Sequence, residues 1–328
     1  MNHHTIQKKY IEQWKNDKNQ LQIFSILENK YLERGSNWRG FWQKDFNVLN
    51  EKKHRYLPEQ ITSQIDKLAI EAIRKIDTVR KNHLSGDDRS AIAFCVALQY
   101  IRTPRHRDET NKIIERETKL FMREKISSPD KINITKEKIL NHQPINKEEK
   151  DALDKISKMT NEEIQSAIFS TIHGNDLRVK LTEEGHSKTI LKIAREAKEI
   201  FEFQWLFLVA PNDSPFITSD SPCFTISPTK MMNGLVSPQA TVVFPLRPDL
   251  CLFIKPKLKS KVEHYMELDT KAVIDINKLI VAQSYHLVVA KEKTYLENLI
   301  RDYDVKSHKS SRDAVVYENG EYVMFNME

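Results

Sequence analysis

The chain has 328 residues, 39% of them hydrophobic and 30% charged, and its 14 Phe, 10 Tyr and 4 Trp are too much apolar material for a disordered chain. Lys and Arg outnumber Asp and Glu by 52 to 46, a net charge of +6 that admits an anionic partner and tilts toward nucleic acid. With only 7 glycines and neither GxGxxG nor GxxxxGK[ST], a standard dinucleotide fold and a P-loop are excluded.

The N-terminal run, "NHHTIQKKYIEQW" (2 to 14), carries two adjacent histidines, a glutamine and two aromatics. Next, "QLQIFSILENKY" is β-branched and alternating after a turn-like "KNDKN", which predicts a strand over about residues 20 to 27; "RGSNWRGFW" reads as a loop with aromatic anchors. From Pro58, Ile61, Ile65, Leu68, Ala72, Ile76 and Val79 recur at three and four, predicting an amphipathic helix to about Asn82. "SGDDRSAIAFCVALQYIRTP", with Gly86 and Asp87 as its N-cap region, is apolar on nearly every side and predicts a central buried helix. Thr103 and Pro104 are a cap and first-turn pair that starts another helix, ending near "SSPD".

Residues 127 to 160 are lysine-rich and proline-punctuated, which predicts short surface helices and loops. "TNEEIQSAIFSTIHG" holds a capping box, Thr160 with Glu163, closed by Gly174, and one more helix is expected over about 187 to 203. Strands follow in "FQWLFLVAP", "PFITSDSPCFTI", "ATVVFPLRP" and "DLCLFIKP", suggesting an antiparallel sheet, with "KPKLKSK" (255 to 261) as a lysine-rich hairpin loop. A helix near 270 to 283 leads to the strand "HLVVA" and the short helix "TYLENLIRDY"; "AVVYENGEYVMF" carries the Asn319-Gly320 signal of a type I′ hairpin.

The order of elements makes the class α+β: a helical middle section packed on a mostly antiparallel C-terminal sheet, which the N-terminal strand, lacking a nearby partner, is placed to join. The expected organisation is one domain over 1–328, helix-rich across 58–203 and strand-rich across 204–328. Cys95, Cys223 and Cys251 are odd in number and set in apolar runs, as buried thiols of a reducing cytosol would be. No secretory h-region and no run of 18 apolar residues is present, so the expectation is a cytoplasmic protein with no membrane partner.

Four blocks together resemble the bacterial family called domain of unknown function 4238. They are the opening His-His, Gln, Tyr and aromatic signature; "ALQYIRTPRHR" (97 to 107); "FITSDSPC" with "VFPLRPDLCL" (216 to 252); and "INKLIVAQSYHLVV" (276 to 289). Where a member often has Ile-Pro-Gln after the histidines, this chain has Thr5, Ile6 and Gln7. The resemblance implies a bacterial protein, with defence and toxin roles to be weighed, and no reaction.

Candidate chemistry centres on five residues. His3 and His4 diverge on a strand and on a helix alike, so one of them faces a site; if the segment is helical, His3 pairs with Gln7 at i and i+4. Arg102 ends an otherwise apolar helix and needs a carboxylate or an anionic ligand. Asp220, in "TSDSP", is either a self-capping turn residue or the carboxylate that serves as general base or orients a histidine. Around these, Gln99, Thr103, Arg105 and Arg107 are candidate phosphate contacts, and Thr218 and Ser219 could hold substrate oxygens. Asn277 and Tyr285 read as structural hydrogen bonders. Metal spacing is poor, with no HExxH or CxxC, so neither a metal nor a cofactor is expected.

The expected function is a nucleic-acid-directed enzyme, a metal-independent RNA nuclease of the toxin or antiviral-defence type. A histidine would be its general acid or base, Arg102 its phosphate stabiliser and Asp220 its orienting carboxylate. The alternative is a module that binds a nucleotide or other anionic ligand without turnover, and a third reading has the motifs only locking the N-terminal strand to the sheet. The nuclease reading requires the histidines, Arg102 and Asp220 to converge.

Overall fold

A computed structural model describes residues 2–174, 178–227, 234–260, 262–301, 314–318 and 321–325. In chain order the elements begin with β1 (Asn2–His4), α1 (Lys8–Ile11), β2 (Leu21–Ser25), β3 (Lys30–Arg34) and β4 (Trp42–Lys44). Helices follow: α2 (Leu57–Arg74), α3 (Gly86–Ile101), α4 (Pro104–Lys125), α5 (Pro129–Leu140), α6 (Lys147–Lys158), α7 (Asn161–His173), α8 (Glu183–Ile190) and α9 (Ala194–Glu202). Then come β5 (Phe203–Val209), β6 (Thr218–Ser219), β7 (Phe224–Ile226), β8 (Thr241–Arg247), β9 (Leu250–Lys259) and β10 (Glu263–Glu267). The chain closes with α10 (Thr270–Gln283), β11 (Leu287–Ala290), α11 (Lys293–Arg301), β12 (Ala314–Glu318) and β13 (Glu321–Phe325). The class is α+β, and among the described residues no helix is long and apolar enough to cross a membrane.

The chain forms two compact units, one of Met1–Arg107 with Glu183–Glu328 and one of Asp108–Thr182. In the first, a five-stranded sheet runs in the order β10-β5-β9-β8-β7, antiparallel except for the parallel β10–β5 pair, and a four-stranded antiparallel sheet runs β3-β2-β11-β6. The N-terminal strand thus pairs across the chain with β11, Phe24 opposite Val288. Strand β9 is buried on both faces and alternates between two cores, as its period of two dictates. Leu250, Leu252 and Ile254 face the core shared with α2, α3 and α9. Cys251 and Phe253 face the core shared with α10, α11 and the four-stranded sheet. All three cysteines are buried and unpaired by disulfide.

The second unit holds α5, α6 and α7, with most of α4, around a small core of Ile126, Ile132, Ile164 and Ile172. Thr160 and Glu163 make the expected capping box, and Gly174 ends α7.

Four expectations are corrected. Helix α2 stops at Arg74 because Asp77 Oδ1 accepts the Val79 and Arg80 N–H groups at 3.0 and 2.9 Å, turning the chain and leaving Val79 89% exposed. The helix expected over 187 to 203 is two helices, parted where Lys192 and Ile193 bond three residues back to Thr189 and Ile190. The cap of α3 is Ser85, whose hydroxyl accepts from the Asp88 N–H. Lys255 to Lys259 continue β9 and form no hairpin tip; its register on β5 jumps between Lys255 and Lys259, spanning Pro256, which has no N–H to donate. Strands β12 and β13 pair antiparallel from Ala314–Phe325 to Glu318–Glu321, and the Asn319-Gly320 turn itself lies outside the described residues.

Candidate functional site

The N-terminal segment is pinned into the first unit. Strand β1 pairs with β4, His3 opposite Gln43, and the Thr5 N–H and hydroxyl both donate to the Phe41 carbonyl at 3.0 and 3.1 Å. Trp14 Nε1 donates to the Phe216 carbonyl at 2.9 Å. The Tyr10 hydroxyl donates to the Pro245 carbonyl at 2.7 Å and therefore accepts from Thr218 Oγ1, also at 2.7 Å.

Against this segment α2 presents Glu59, Thr62 and Asp66 at i, i+3 and i+7, the stripe that continues into the core as Ile70 and Ile73. The last turn of α3 adds Gln99, and Arg102 follows as its C-cap residue. Arg102 Nη1 donates to Asp66 Oδ2 at 2.7 Å and its Nε to Gln99 Oε1 at 3.3 Å. Gln7 Nε2 donates to the Asp66 carbonyl at 2.8 Å. Burial raises the Asp66 pKa in spite of Arg102. Burial, and then the Arg102 charge, lower that of His4, while Asp66 opposes the shift.

His3 lies on the other side of the strand's alternation. Its Nδ1 accepts the Asn47 N–H at 2.7 Å, so the neutral ring carries its proton on Nε2, and burial lowers its pKa. Asn47 bridges outward, donating Nδ2 to Glu59 Oε2 at 3.3 Å and accepting from Arg107 Nη2 at 3.0 Å. Arg107 also pairs with Glu183 and stacks 3.3 Å over the Phe46 ring; burial brings its pKa down to about 10. Glu59, its own pKa raised by burial, is 3.9 Å from His3 Nδ1 and feels both Arg102 and Asp66, so it links the two histidine environments.

The arrangement leaves six buried polar atoms without a hydrogen-bond partner: His3 Nε2, His4 Nδ1, Gln7 Oε1, Asp66 Oδ1, Gln99 Nε2 and Arg102 Nη2. Two more such side-chain atoms occur among the described residues, so three in four belong to this linked cluster, where a folded protein leaves few anywhere. The cluster offers donors at Arg102, Gln99 and His3 and acceptors at Asp66 and Gln7. His4, half-buried, is its most open member.

Of the five residues expected at the site, Gln7 and Arg102 are joined with Gln99 around Asp66, His4 feels the charges of that pair, and His3 lies across the strand on Asn47 and Glu59. Asp220 is placed differently: Oδ1 accepts the Tyr285 N–H at 2.8 Å and Oδ2 the His286 N–H at 2.7 Å, locking the turn before β11. Burial raises its pKa to about 6 against those bonds and the nearby Arg105. The carboxylate that meets Arg102 is Asp66, whereas Asp220, expected to orient a histidine, has both oxygens on main-chain N–H groups. Among the expected substrate contacts, Thr103 Oγ1 accepts the His106 N–H and caps α4, Arg105 donates to the Gln283 carbonyl, and Arg107 is engaged as above. Thr218 is bound to Tyr10, and Ser219 Oγ accepts the Ser221 N–H at 3.1 Å in a self-capping turn. Asn277 is the expected structural bonder: Oδ1 accepts from the Ile217 N–H and Nδ2 donates to the Pro215 carbonyl.

Asp66, Glu59 and Asn47 were not expected at the site. The signal for the first two was polar residues in phase with the core-facing stripe of α2; Asn47, in a loop, has no periodic signal. Among the described residues no group of three or more His, Cys, Asp or Glu is placed to hold a metal ion.

Residues 2–294 match the family described as "Protein of unknown function (DUF4238)". The chain belongs to the DUF4238 family. No curated protein and no solved structure matches it. In this DUF4238 protein every member of the cluster lies within the matched span, and so do all four blocks that carried the resemblance.

Proposed function

We propose that the cluster is a binding site for a nucleotide or a similarly polar anionic ligand, read by Arg102 and Gln99 as donors and by Gln7 and Asp66 as acceptors. The carrying observation is the four unpartnered buried polar atoms on Gln7, Asp66, Gln99 and Arg102, side chains joined by hydrogen bonds, a mixed donor and acceptor set such as a phosphorylated heterocycle satisfies. The Asp66–Arg102 contact leaves Nη2 open for an anion. Asp66 Oδ1, left over from the same contact, stands beside it as the acceptor. Half-buried His4 marks the way in.

The test is calorimetric titration of the full chain with a panel of mono-, di- and cyclic nucleotides, alongside Gln99→Met. A ligand that saturates the native chain and loses at least tenfold in the variant supports the reading. No saturation by any nucleotide, or equal binding by the variant, overturns it.

Hydrolysis of RNA is the second reading: half-buried His4 lies near the Arg102 charge, and burial with that charge lowers its pKa, so a neutral imidazole able to accept a proton would stand beside a cation able to hold a phosphate. Incubation with total RNA, with and without chelator, beside His4→Ala decides it; the same RNA pattern from both proteins rejects hydrolysis.

A further inference from the structure

The second unit carries a cavity of about 590 Å³ between the end of α4, α5 and α6, within the size range of sites for small organic ligands. Its floor is apolar: Phe121, Ile134, Ile139 and Leu153. None of these belongs to the unit's own core, to which α5 contributes Ile132. Phe121 and Ile134 remain 60% and 53% exposed. Single exposed apolar side chains are ordinary, but two converging with two more on one concavity mark a binding surface.

The wall is basic. Lys125, Lys131 and Lys138 stand against Glu124 alone among the charged side chains that line the cavity. Both Lys125 and Lys131 lean on that one carboxylate, at 3.6 and 2.7 Å. Lys138 has no ion pair or hydrogen bond among the described residues. On α5 the order Lys131, Ile134, Lys138 is i, i+3, i+7, so an apolar contact sits between two ammonium groups on one stripe. A floor that wants hydrocarbon and a wall with excess positive charge fit an apolar chain ending in one anionic group.

We propose that this cavity binds an aliphatic monocarboxylate of fatty-acid type, its tail on Phe121, Ile134, Ile139 and Leu153 and its carboxylate at Lys138 with Lys131. Burying the tail makes affinity rise about fourfold for each added methylene until the floor is covered, and the charged contact makes it fall with salt.

The experiment titrates the full-length chain calorimetrically with octanoate, decanoate and dodecanoate below their micellar concentrations, and with dodecyltrimethylammonium as the cation of matched tail. Lys138→Glu and Ile134→Asp, both at exposed positions of α5, serve as variants, and circular dichroism checks that they keep the helical signal. Expected are saturable 1:1 binding, a rise in affinity along the series, a weaker cationic amphiphile, and a loss of at least tenfold in each variant. Absence of saturable binding overturns the proposal, as does equal affinity for the cation or variants within twofold of the native chain. An acidic amphipathic peptide that binds where dodecanoate does not also overturns it, in favour of a protein partner. Should a variant lose its helical signal, the chain-length series and the salt dependence on the native chain decide alone.

Discussion

Arg102 and Asp66 meet through a single contact, Nη1 to Oδ2 at 2.7 Å, leaving Nη2 of one and Oδ1 of the other buried and unpartnered. Removing one member strands the other's charge in the interior. Arg102→Met is expected to cost about 3–5 kcal/mol of stability, and the double variant with Asp66→Leu to recover most of it, because no lone charge then remains. Urea unfolding of the three proteins checks this. A double variant as unstable as the single one would mean that the pair is not what α2 and α3 lose.

Gln7 and Gln99 behave differently if the cluster is built for a ligand. Each keeps one hydrogen bond and leaves its other amide atom unsatisfied. Gln7→Met removes one bond and one desolvated polar atom together and should change the fold by no more than about 1 kcal/mol in either direction, whereas Gln99→Met also leaves Arg102 Nε unpaired and should cost about 1–3 kcal/mol. A loss above about 3 kcal/mol in thermal or urea unfolding would assign them to structure alone.

Stability against pH carries two signs. The pKa values of His3 and His4 are lowered from 6.5 by burial, so below about pH 6.5 the unfolded chain binds protons that the folded chain refuses. Their contribution is complete above that pH and is lost as pH falls through the folded values. Asp220 is raised from 3.8 to about 6, so across that window the folded chain binds more protons and its contribution declines as pH rises. His4→Gln should therefore flatten the rise of stability just below pH 6.5, and a change of slope in the other direction would contradict the assignment. Asp220→Asn removes the opposing contribution and should steepen that rise. It also sets an amide N–H against one of two main-chain donors, costing about 1–3 kcal/mol.

Much of the framework is legible because it is local or periodic. The capping box at Thr160 and the alternation in "DLCLFI" are chemistry written over a few residues; β2 does reach the distant β11 as expected, but it also has a near partner, β3, whose exposed "KYLER" carries no strand-like apolar alternation. The helical period continues through Ile76 and Val79 beyond the end of α2, because the Asp77 carboxylate, a competing acceptor, turns the chain without disturbing the spacing. The site was readable where a polar residue stood out against apolar neighbours, as Arg102 does. It was not readable where the partner was main chain: nothing in "TSDSP" says that Asp220 is spent on two amides sixty-five residues away. Asp66 is not legible in this way, because a carboxylate in a helix has the pattern of a solvated residue, and only its phase with the core-facing stripe of α2 marks it as buried.

The Tyr10 hydroxyl is the most testable part of the seam between the N-terminal segment and the strands. It donates to the Pro245 carbonyl and accepts from Thr218 Oγ1, both at 2.7 Å, in full burial that also raises its pKa well above the ordinary tyrosine value. Tyr10→Phe leaves a carbonyl and a hydroxyl unpaired in an apolar core, which should cost about 1–3 kcal/mol. Pairing it with Thr218→Val removes one of the two stranded groups, so the double variant should be less destabilised than the sum of the singles, the signature of direct coupling. Additive losses in urea unfolding would show that the two hydroxyls do not act together. A frayed N-terminal segment would give no loss at all, so the same measurement tests whether the histidines of β1 are held where the cluster needs them.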